Sequence, residues 1–149
     1  MKFIIFLLIS TLTFSKVVIK YEVGLLSKQF IKEQESEYKD KNKEIHVLIK
    51  ESIGNQNPVV YGAEYLQSND LGGKYGSGIV ILIIIDTKTI ACVIGNRVEE
   101  FYTDTQIDRI LTKPLIENFK NNNVESGIES SILSSKYILN EVVKQCGGL

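Results

Sequence analysis

Four acidic residues, Asp70, Asp86, Glu99 and Asp104, lie in or beside segments that the sequence predicts to be loops, turns or a helix start. Hard cations are bound by carboxylate, carbonyl and water oxygens, and calcium takes roughly six to eight of them. The four carboxylates could therefore supply a divalent-cation site if their loops converge at one edge of a sheet. Each also has a purely structural interpretation, as a turn residue, a helix-start acid or a solvated charge.

Several other kinds of site do not fit the sequence. Cys92, Cys146 and the lone His46 are too few for a structural zinc site, and they suggest no nucleophilic triad. The glycine-rich stretch 72–78, GGKYGSG, matches neither common phosphate-binding pattern and precedes a strand rather than a helix. With 17 Lys and Arg against 18 Asp and Glu, the net charge is −1 and no basic stripe indicates nucleic acid.

The most apolar stretch after the first fifteen residues predicts a β-hairpin. Two runs rich in Ile and Val, Ile79–Ile85 and Ile90–Ile94, are separated by the polar tetrad Asp86–Thr89. Neither run approaches the roughly 20 residues of a spanning helix, and β-branched residues favour strands over the alternative of a single buried helix. Because the first run is apolar at every position, both of its faces must be covered, as in a sheet between helices.

The remaining segments alternate helix and strand, which indicates an α/β fold. Apolar residues recur at helical spacing in several segments, Thr103 is suited to cap a helix, and Pro114 is suited to begin one. The segment 39–43, KDKNK, has the composition of a solvated connection. The predicted elements are helices over 22–39, 59–67, from 103, from 114 and over 124–144, and a strand over 45–49.

The N-terminus has the order of a secretory signal peptide. Lys2 is followed by the apolar block Phe3–Ile9 and then by small residues up to Ser15. An uncleaved membrane anchor is the alternative. The sequence thus divides into a signal peptide (1–15), an N-terminal helix and connection (16–44), one domain (45–144) and a flexible tail (145–149). The mature chain is expected to be extracytoplasmic or secreted and not membrane-spanning.

If the chain is exported, its two cysteines can either form a disulfide or remain free. An oxidising compartment permits a disulfide between Cys92 and Cys146. Cys92 can equally be a small buried residue of the second hairpin strand, and Cys146 can belong to a mobile tail.

The order of these features resembles the TPM domain family. The resemblance covers about 45–143 and includes a glycine before an apolar strand, a hairpin with an acidic turn, and an acid and a capped helix after it. The positions that carry it are Tyr61–Leu66, Gly78, Asp86, Ile94–Gly95, Glu99, Thr103–Asp104, Arg109–Ile110, Pro114, Phe119–Lys120 and Gly127–Ile128.

The resemblance implies a three-layer α/β/α sandwich with a central mixed sheet, containing the antiparallel hairpin at about 79–94. It also implies an acidic cleft for calcium or another divalent cation. Asp86, Glu99 and Asp104 match the acidic positions, with Asp70 as a looser match. Weak acid-phosphatase activity is implied too, for which Arg97 and Lys74 are the candidate phosphate contacts.

Members of this family include thylakoid-lumen proteins linked to photosystem repair, bacterial envelope proteins and nematode receptor modulators. The resemblance therefore also implies an alternative function without catalysis. In this alternative, the exported domain binds a membrane protein complex or a receptor and modulates it or assists its assembly.

Overall fold

One mixed β-sheet lies at the centre of the computed structural model, which describes residues 15–35 and 42–146 apart from the side chain of Lys74. Its strands in this part of the chain are β1 (Lys16–Tyr21), β2 (Glu44–Lys50), β3 (Gly78–Ile84) and β4 (Thr89–Ile94). They lie in the order β1-β2-β3-β4, in which β1, β2 and β3 are parallel and β4 is antiparallel to β3. The predicted hairpin is confirmed.

Strand β3 is buried at every position, as its unbroken apolar sequence predicts. Side chains alternate between the two faces of a strand, so Ile79, Ile81 and Ile83 belong to one hydrophobic cluster. Val80 and Leu82 belong to a second cluster on the opposite face. The sheet therefore needs a helical layer on each side.

Two helical layers cover these faces. The described helices are α1 (Lys28–Gln34), α2 (Pro58–Ser68), α3 (Asn96–Glu99), α4 (Asp104–Ile107), α5 (Lys113–Lys120) and α6 (Val124–Gln145), with a π-helical turn at Asp108–Thr112. Helix α2 covers the face that carries Leu82. The other helices supply Leu111, Leu115 and Ile132 to the face that carries Ile81. This is the predicted α/β/α sandwich.

Local signals set where several of these helices begin. Thr103 caps α4, since its hydroxyl accepts a hydrogen bond from the amide of Gln106 at 3.2 Å, and the Gln106 side chain accepts one from the amide of Thr103 at 2.8 Å. Asn57 caps α2 through the amides of Val59 and Val60. Pro114 lies in the first turn of α5, as predicted, and the helical backbone continues without a break from α4 through the π-helical turn into α5.

The N-terminal segment differs from the prediction. Residues 16–21, KVVIKY, form the strand β1, although 16–44 was predicted to be a helix and a connection. The helix is also shorter than the predicted 22–39, because Ser27 caps it at Lys28 and its C-terminal cap is Glu35. The amide of Glu22 pairs instead with the carbonyl of Ile49 at 2.9 Å, which extends the β1–β2 pairing.

Parts of several predictions lie outside the described residues. These are residues 1–14 of the signal peptide, 36–39 of the first predicted helix, 39–41 of the charged connection and 147–149 of the tail. Within the described residues, Ser15 is buried just before β1, and α6 extends to Gln145. No helix in this described part is both long and apolar enough to cross a bilayer.

Candidate functional site

The hairpin separates Asp86 from two of the other predicted metal ligands, Glu99 and Asp104. Asp86 lies in the hairpin turn after β3, where its amide donates to the carbonyl of Glu51 at 3.0 Å. Glu99 and Asp104 follow β4 and lie at the opposite end of the hairpin. A strand of this length spans about 20 Å, so the structure does not bring Asp86 together with Glu99 or Asp104.

Two of the four carboxylates line one cavity. We call it the α2–α3 cavity, because it lies between the C-terminal part of α2, the glycine-rich loop 72–78 and the start of α3. Its volume is about 330 Å³. Its lining includes the carboxylates Asp70 and Glu99 and the amide side chains Gln67 and Asn96. This set is rich in the oxygen donors that hard cations prefer.

Close backbone contacts between the glycine-rich loop and the end of β4 shape this cavity. A side-chain carbon at Gly72, where φ is +84°, would lie 2.2 Å from the amide nitrogen of Ser77. A side-chain carbon at Gly95 would lie 2.2 Å from the carbonyl oxygen of Gly76. Only glycine allows these approaches, and they bring the loop that follows Asp70 against the turn that precedes Glu99.

Asp104 lies in a neighbouring groove, the β4 groove, which runs beside strand β4 and has a volume of about 380 Å³. Its walls include Val59 of α2, Asp104, and Asp108 of the π-helical turn. Glu99 lines both this groove and the α2–α3 cavity. Glu99 is therefore the one predicted ligand that connects the two spaces.

The carboxylates are not gathered into a compact metal cluster. Within the described residues, no group of three or more His, Cys, Asp or Glu side chains could hold a metal ion. In the α2–α3 cavity two carboxylates are available, so any further oxygen ligands must come from amide side chains, main-chain carbonyls or water. Such a mixed oxygen set suits calcium better than zinc.

Of the two predicted phosphate contacts, Arg97 and Lys74, only the side chain of Arg97 is described by the structure. The guanidinium of Arg97 donates to the carboxylate of Glu100 at 2.8 Å, and this hydrogen bond raises the pKa of Arg97. Lys74 lies in a short 3-10 turn, Gly73–Tyr75, and its side chain is outside the described atoms. Arg97 thus pairs with its own helical neighbour.

The two cysteines are free thiols in the described structure. Burial raises the pKa of the Cys92 thiol to about 12, so at neutral pH it stays protonated and is a poor nucleophile. Cys92 packs as a small apolar residue, and no disulfide joins it to Cys146.

A buried chain of hydrogen-bonded side chains, formed by Glu44, His46 and Tyr65, was not predicted from the sequence. Nε2 of His46 lies 3.2 Å from the Glu44 carboxylate, and its Nδ1 lies 2.8 Å from the hydroxyl of Tyr65. The Nε2–H group donates a hydrogen bond to the carboxylate, which leaves Nδ1 to accept one from the Tyr65 hydroxyl. Glu44 and His46 are two apart on one strand, which was a usable signal. Tyr65 reaches them only through the packing of α2.

This chain links the sheet to α2. The side chains of Glu44 and His46 are 5% and 7% exposed, and the ammonium of Lys16 donates to Glu44 at 2.8 Å. Burial lowers the pKa of His46 from its ordinary value, although the Glu44 carboxylate opposes this shift. The neutral imidazole is therefore favoured, and it fixes Tyr65 over β2.

Comparison with known proteins identifies the family. The sequence profile of the TPM domain matches residues 20–136. The chain belongs to the TPM domain family. The match begins in β1, which agrees with the inclusion of this strand in the sheet. A comparison with curated protein sequences found no match.

Solved structures share the fold at low identity. The N-terminal domain of a protein from P. gingivalis superposes with a TM-score of 0.65 at 18% sequence identity, and the match covers 85% of this chain and 83% of that one. The BA42 protein from Bizionia argentinensis superposes with a TM-score of 0.57 at 17% sequence identity, and the match covers 76% of each chain. The N-terminal domain of cg2496 from Corynebacterium glutamicum superposes with a TM-score of 0.57 at 15% sequence identity. That match covers 85% of this chain and 78% of that one. These likenesses show the fold alone.

The Gly95→Ala substitution tests the contact that shapes the α2–α3 cavity. Its new methyl group meets a backbone carbonyl, so we expect unfolding to require about 1–3 kcal/mol less free energy in urea denaturation. Gly24→Ala is the control, because no atom lies within 4 Å of the added carbon. Equal stability of the two variants would contradict the packing described for Gly95.

The buried chain predicts a pH dependence of stability. The unfolded chain takes up the histidine proton at about pH 6.5, whereas burial lowers this pKa in the folded state. His46 therefore contributes stability above that pH, and the contribution is lost as pH falls through the folded pKa. Melting temperatures would be measured at two chosen values, about pH 7.5 and about pH 5. We expect the fall in melting temperature between them to be larger in the natural protein than in His46→Gln. The same fall in both proteins would show that His46 does not contribute.

Proposed function

We propose that this TPM domain binds a divalent cation of the calcium type in the α2–α3 cavity. The observation that supports the proposal is the composition of the lining, in which Asp70 and Glu99 lie together with Gln67 and Asn96. Carboxylate and amide oxygens are hard ligands, which favour calcium over softer metals. Two carboxylates provide little negative charge, so the expected affinity is weak, about 10⁻⁴–10⁻³ M, as in extracellular calcium modules.

The proposal reduces the predicted ligand set. Asp86 is left out because it lies at the other end of the hairpin. Asp104 is left out because it lines the β4 groove and not the α2–α3 cavity. Asp70, the looser match to the family pattern, becomes a principal ligand together with Glu99.

Weak phosphatase activity stays a prediction from the family resemblance. A divalent cation supplies Lewis-acid polarisation of a phosphoryl oxygen when it is bound. The chain itself would contribute Asp70 and Glu99 to hold the cation, and Arg97 as a phosphate contact after release from Glu100. Hydrolysis of a generic aryl phosphate is the relevant assay, with Asp70→Asn as the control for contamination.

The alternative function is binding without catalysis, outside the cytoplasm. Predicted cleavage after Ser15 falls immediately before Lys16, the first residue of β1. Removal of 1–15 would therefore leave every described strand in the mature chain. An open groove beside β4 favours this binding function.

Calcium is expected to stabilise the mature protein. At a free calcium concentration of about ten times the dissociation constant, mass action raises the free energy of unfolding by about 1.4 kcal/mol. For a domain of this size, this corresponds to a rise of roughly 3–6 °C in melting temperature. We expect EDTA to abolish the rise, and Asp70→Asn and Glu99→Gln to remove most of it, in a thermal melt with calcium titration.

Asp86→Asn is the matched control for this titration. It removes the same charge from an exposed position at the opposite end of the hairpin, so the calcium response should be unchanged. No shift at about 10 mM calcium, well above the expected dissociation constant, would refute the proposal. So would an equal loss of the response in Asp86→Asn and Asp70→Asn.

A further inference from the structure

Strand β4 has an unpaired edge. It is the last strand of the described sheet, and its other side pairs with β3. The amide of Gly95 donates to the carbonyl of Gly78 at 2.9 Å. Because alternate residues of an antiparallel strand face its partner, Ile90, Cys92 and Ile94 direct their main-chain groups away from β3. Outside the strand ladder, none of these three amides donates a backbone hydrogen bond to another described residue.

The opposite edge of the sheet is protected in a different way. At β1 the carboxylate of Glu35 accepts a hydrogen bond from the outward amide of Ile19 at 3.1 Å. Lys28 and Lys32 also flank that edge. Natural proteins block edge strands with charged side chains, prolines or bulges. The sequence of β4, TIACVI, has no charge and no proline.

The β4 groove has two chemically different walls. Val59 of α2 is 59% exposed and forms part of an apolar wall. Asp104 and Asp108, four residues apart on one helical segment, form an acidic wall. Among the described residues Glu99 and Asp104 have no ion-pair partner, and Asp108 has only the exposed Lys113 at 3.5 Å.

We propose that the β4 groove binds an extended segment of a partner protein, which pairs with β4 as a fifth strand. The segment would alternate apolar residues with Lys or Arg. Side chains of a strand alternate between two faces, so one set would contact the apolar wall at Val59. The other set would meet the carboxylates of Asp104 and Asp108. The added main-chain hydrogen bonds would satisfy the outward groups of Ile90, Cys92 and Ile94.

Charge favours such a partner over a second copy of this chain. Two β4 edges paired with each other would bring Asp104 and Asp108 of one copy towards the same acids of the other. Like charges across a strand pair are unfavourable. A basic segment instead supplies positive charge to a wall on which, among the described residues, the exposed Lys113 beside Asp108 is the one ion-pair partner. The proposal does not depend on cation binding, because it uses Asp104 and Asp108, which do not line the α2–α3 cavity, although Glu99 lines both spaces.

The test uses a synthetic peptide that alternates Lys and Val over six residues, with acetylated and amidated ends. Binding to the mature protein is measured in low salt with EDTA by fluorescence anisotropy, and amide hydrogen exchange is followed by NMR. We expect saturable binding that weakens with salt. We also expect slower exchange of the amides of Ile90, Cys92 and Ile94.

Matched variants separate the acidic wall from other surface acids, and the β4 groove from the α2–α3 cavity. The double substitution Asp104→Asn and Asp108→Asn should weaken peptide binding about five- to tenfold, as expected for the loss of two surface charge pairs. Glu129→Gln removes an exposed acid from α6, away from the groove, and should leave binding unchanged. Asp70→Asn should also leave it unchanged, even if that variant alters the calcium response. Circular dichroism confirms that each variant is folded.

Two control peptides test the recognition chemistry. Replacing every Lys by Glu should abolish binding, because the acidic wall would repel the peptide. N-methylation of alternate residues, at the amides that would donate to β4, should also abolish it, because pairing needs those main-chain donors.

Three results would overturn the proposal. The first is absence of binding at millimolar peptide while the protein is folded. The second is slowed exchange at β1 or elsewhere without any change at Ile90, Cys92 and Ile94. The third is concentration-dependent self-association, in sedimentation without peptide, that protects those same amides. That last result would assign the groove to a second copy of the chain.

Discussion

Burial of β3 on both faces is the constraint on which the rest of the structure depends. An isoleucine-rich strand with no polar position cannot present either face to water, so helices must pack on both sides. The apolar side chains of α2 meet this need on the face of Leu82, and the long segment from α4 to α6 meets it on the face of Ile81. The order of layers thus follows from one strand of seven residues.

The same strand also determines where binding chemistry can lie. In open parallel sheets, ligands usually bind beyond the carboxyl ends of the strands. Here β4 runs antiparallel to β3, so the glycine-rich loop before β3 and the turn after β4 meet at the amino end of β3. The α2–α3 cavity forms at this end. The β4 groove begins beside it because β4 lacks a further neighbour among the described strands.

The sequence predicted the hairpin well because its evidence was local. Composition, length and a polar turn were sufficient for β3 and β4, and a capping residue was sufficient for the start of α4. Strand β1 was missed although its buried residues Val17 and Ile19 alternate with less buried positions. Its six residues are short, and its stability comes from pairing with β2, which is about 28 residues away in sequence.

The candidate site was only partly predictable. Asp86 precedes β4 and Glu99 follows it, so an antiparallel hairpin by itself places them at opposite ends. This separation was therefore predictable from the sequence. The placement of Asp70 and Glu99 in the lining of one cavity, and the contact of His46 with Tyr65, depend on how loops and α2 pack against the sheet. Packing between distant segments leaves no periodic signal in one sequence.

Residue-resolved amide hydrogen exchange of the isolated protein tests the central role of β3 most directly. Amides of a strand covered on both faces and paired on both edges exchange only through global unfolding, whereas unpaired edge amides exchange locally. The account predicts that the amides of Ile79 to Ile84 are among the slowest in the molecule. Those of Ile90, Cys92 and Ile94 should exchange far faster. Rapid local exchange along β3, or protection of those three β4 amides equal to that of β3, would contradict it.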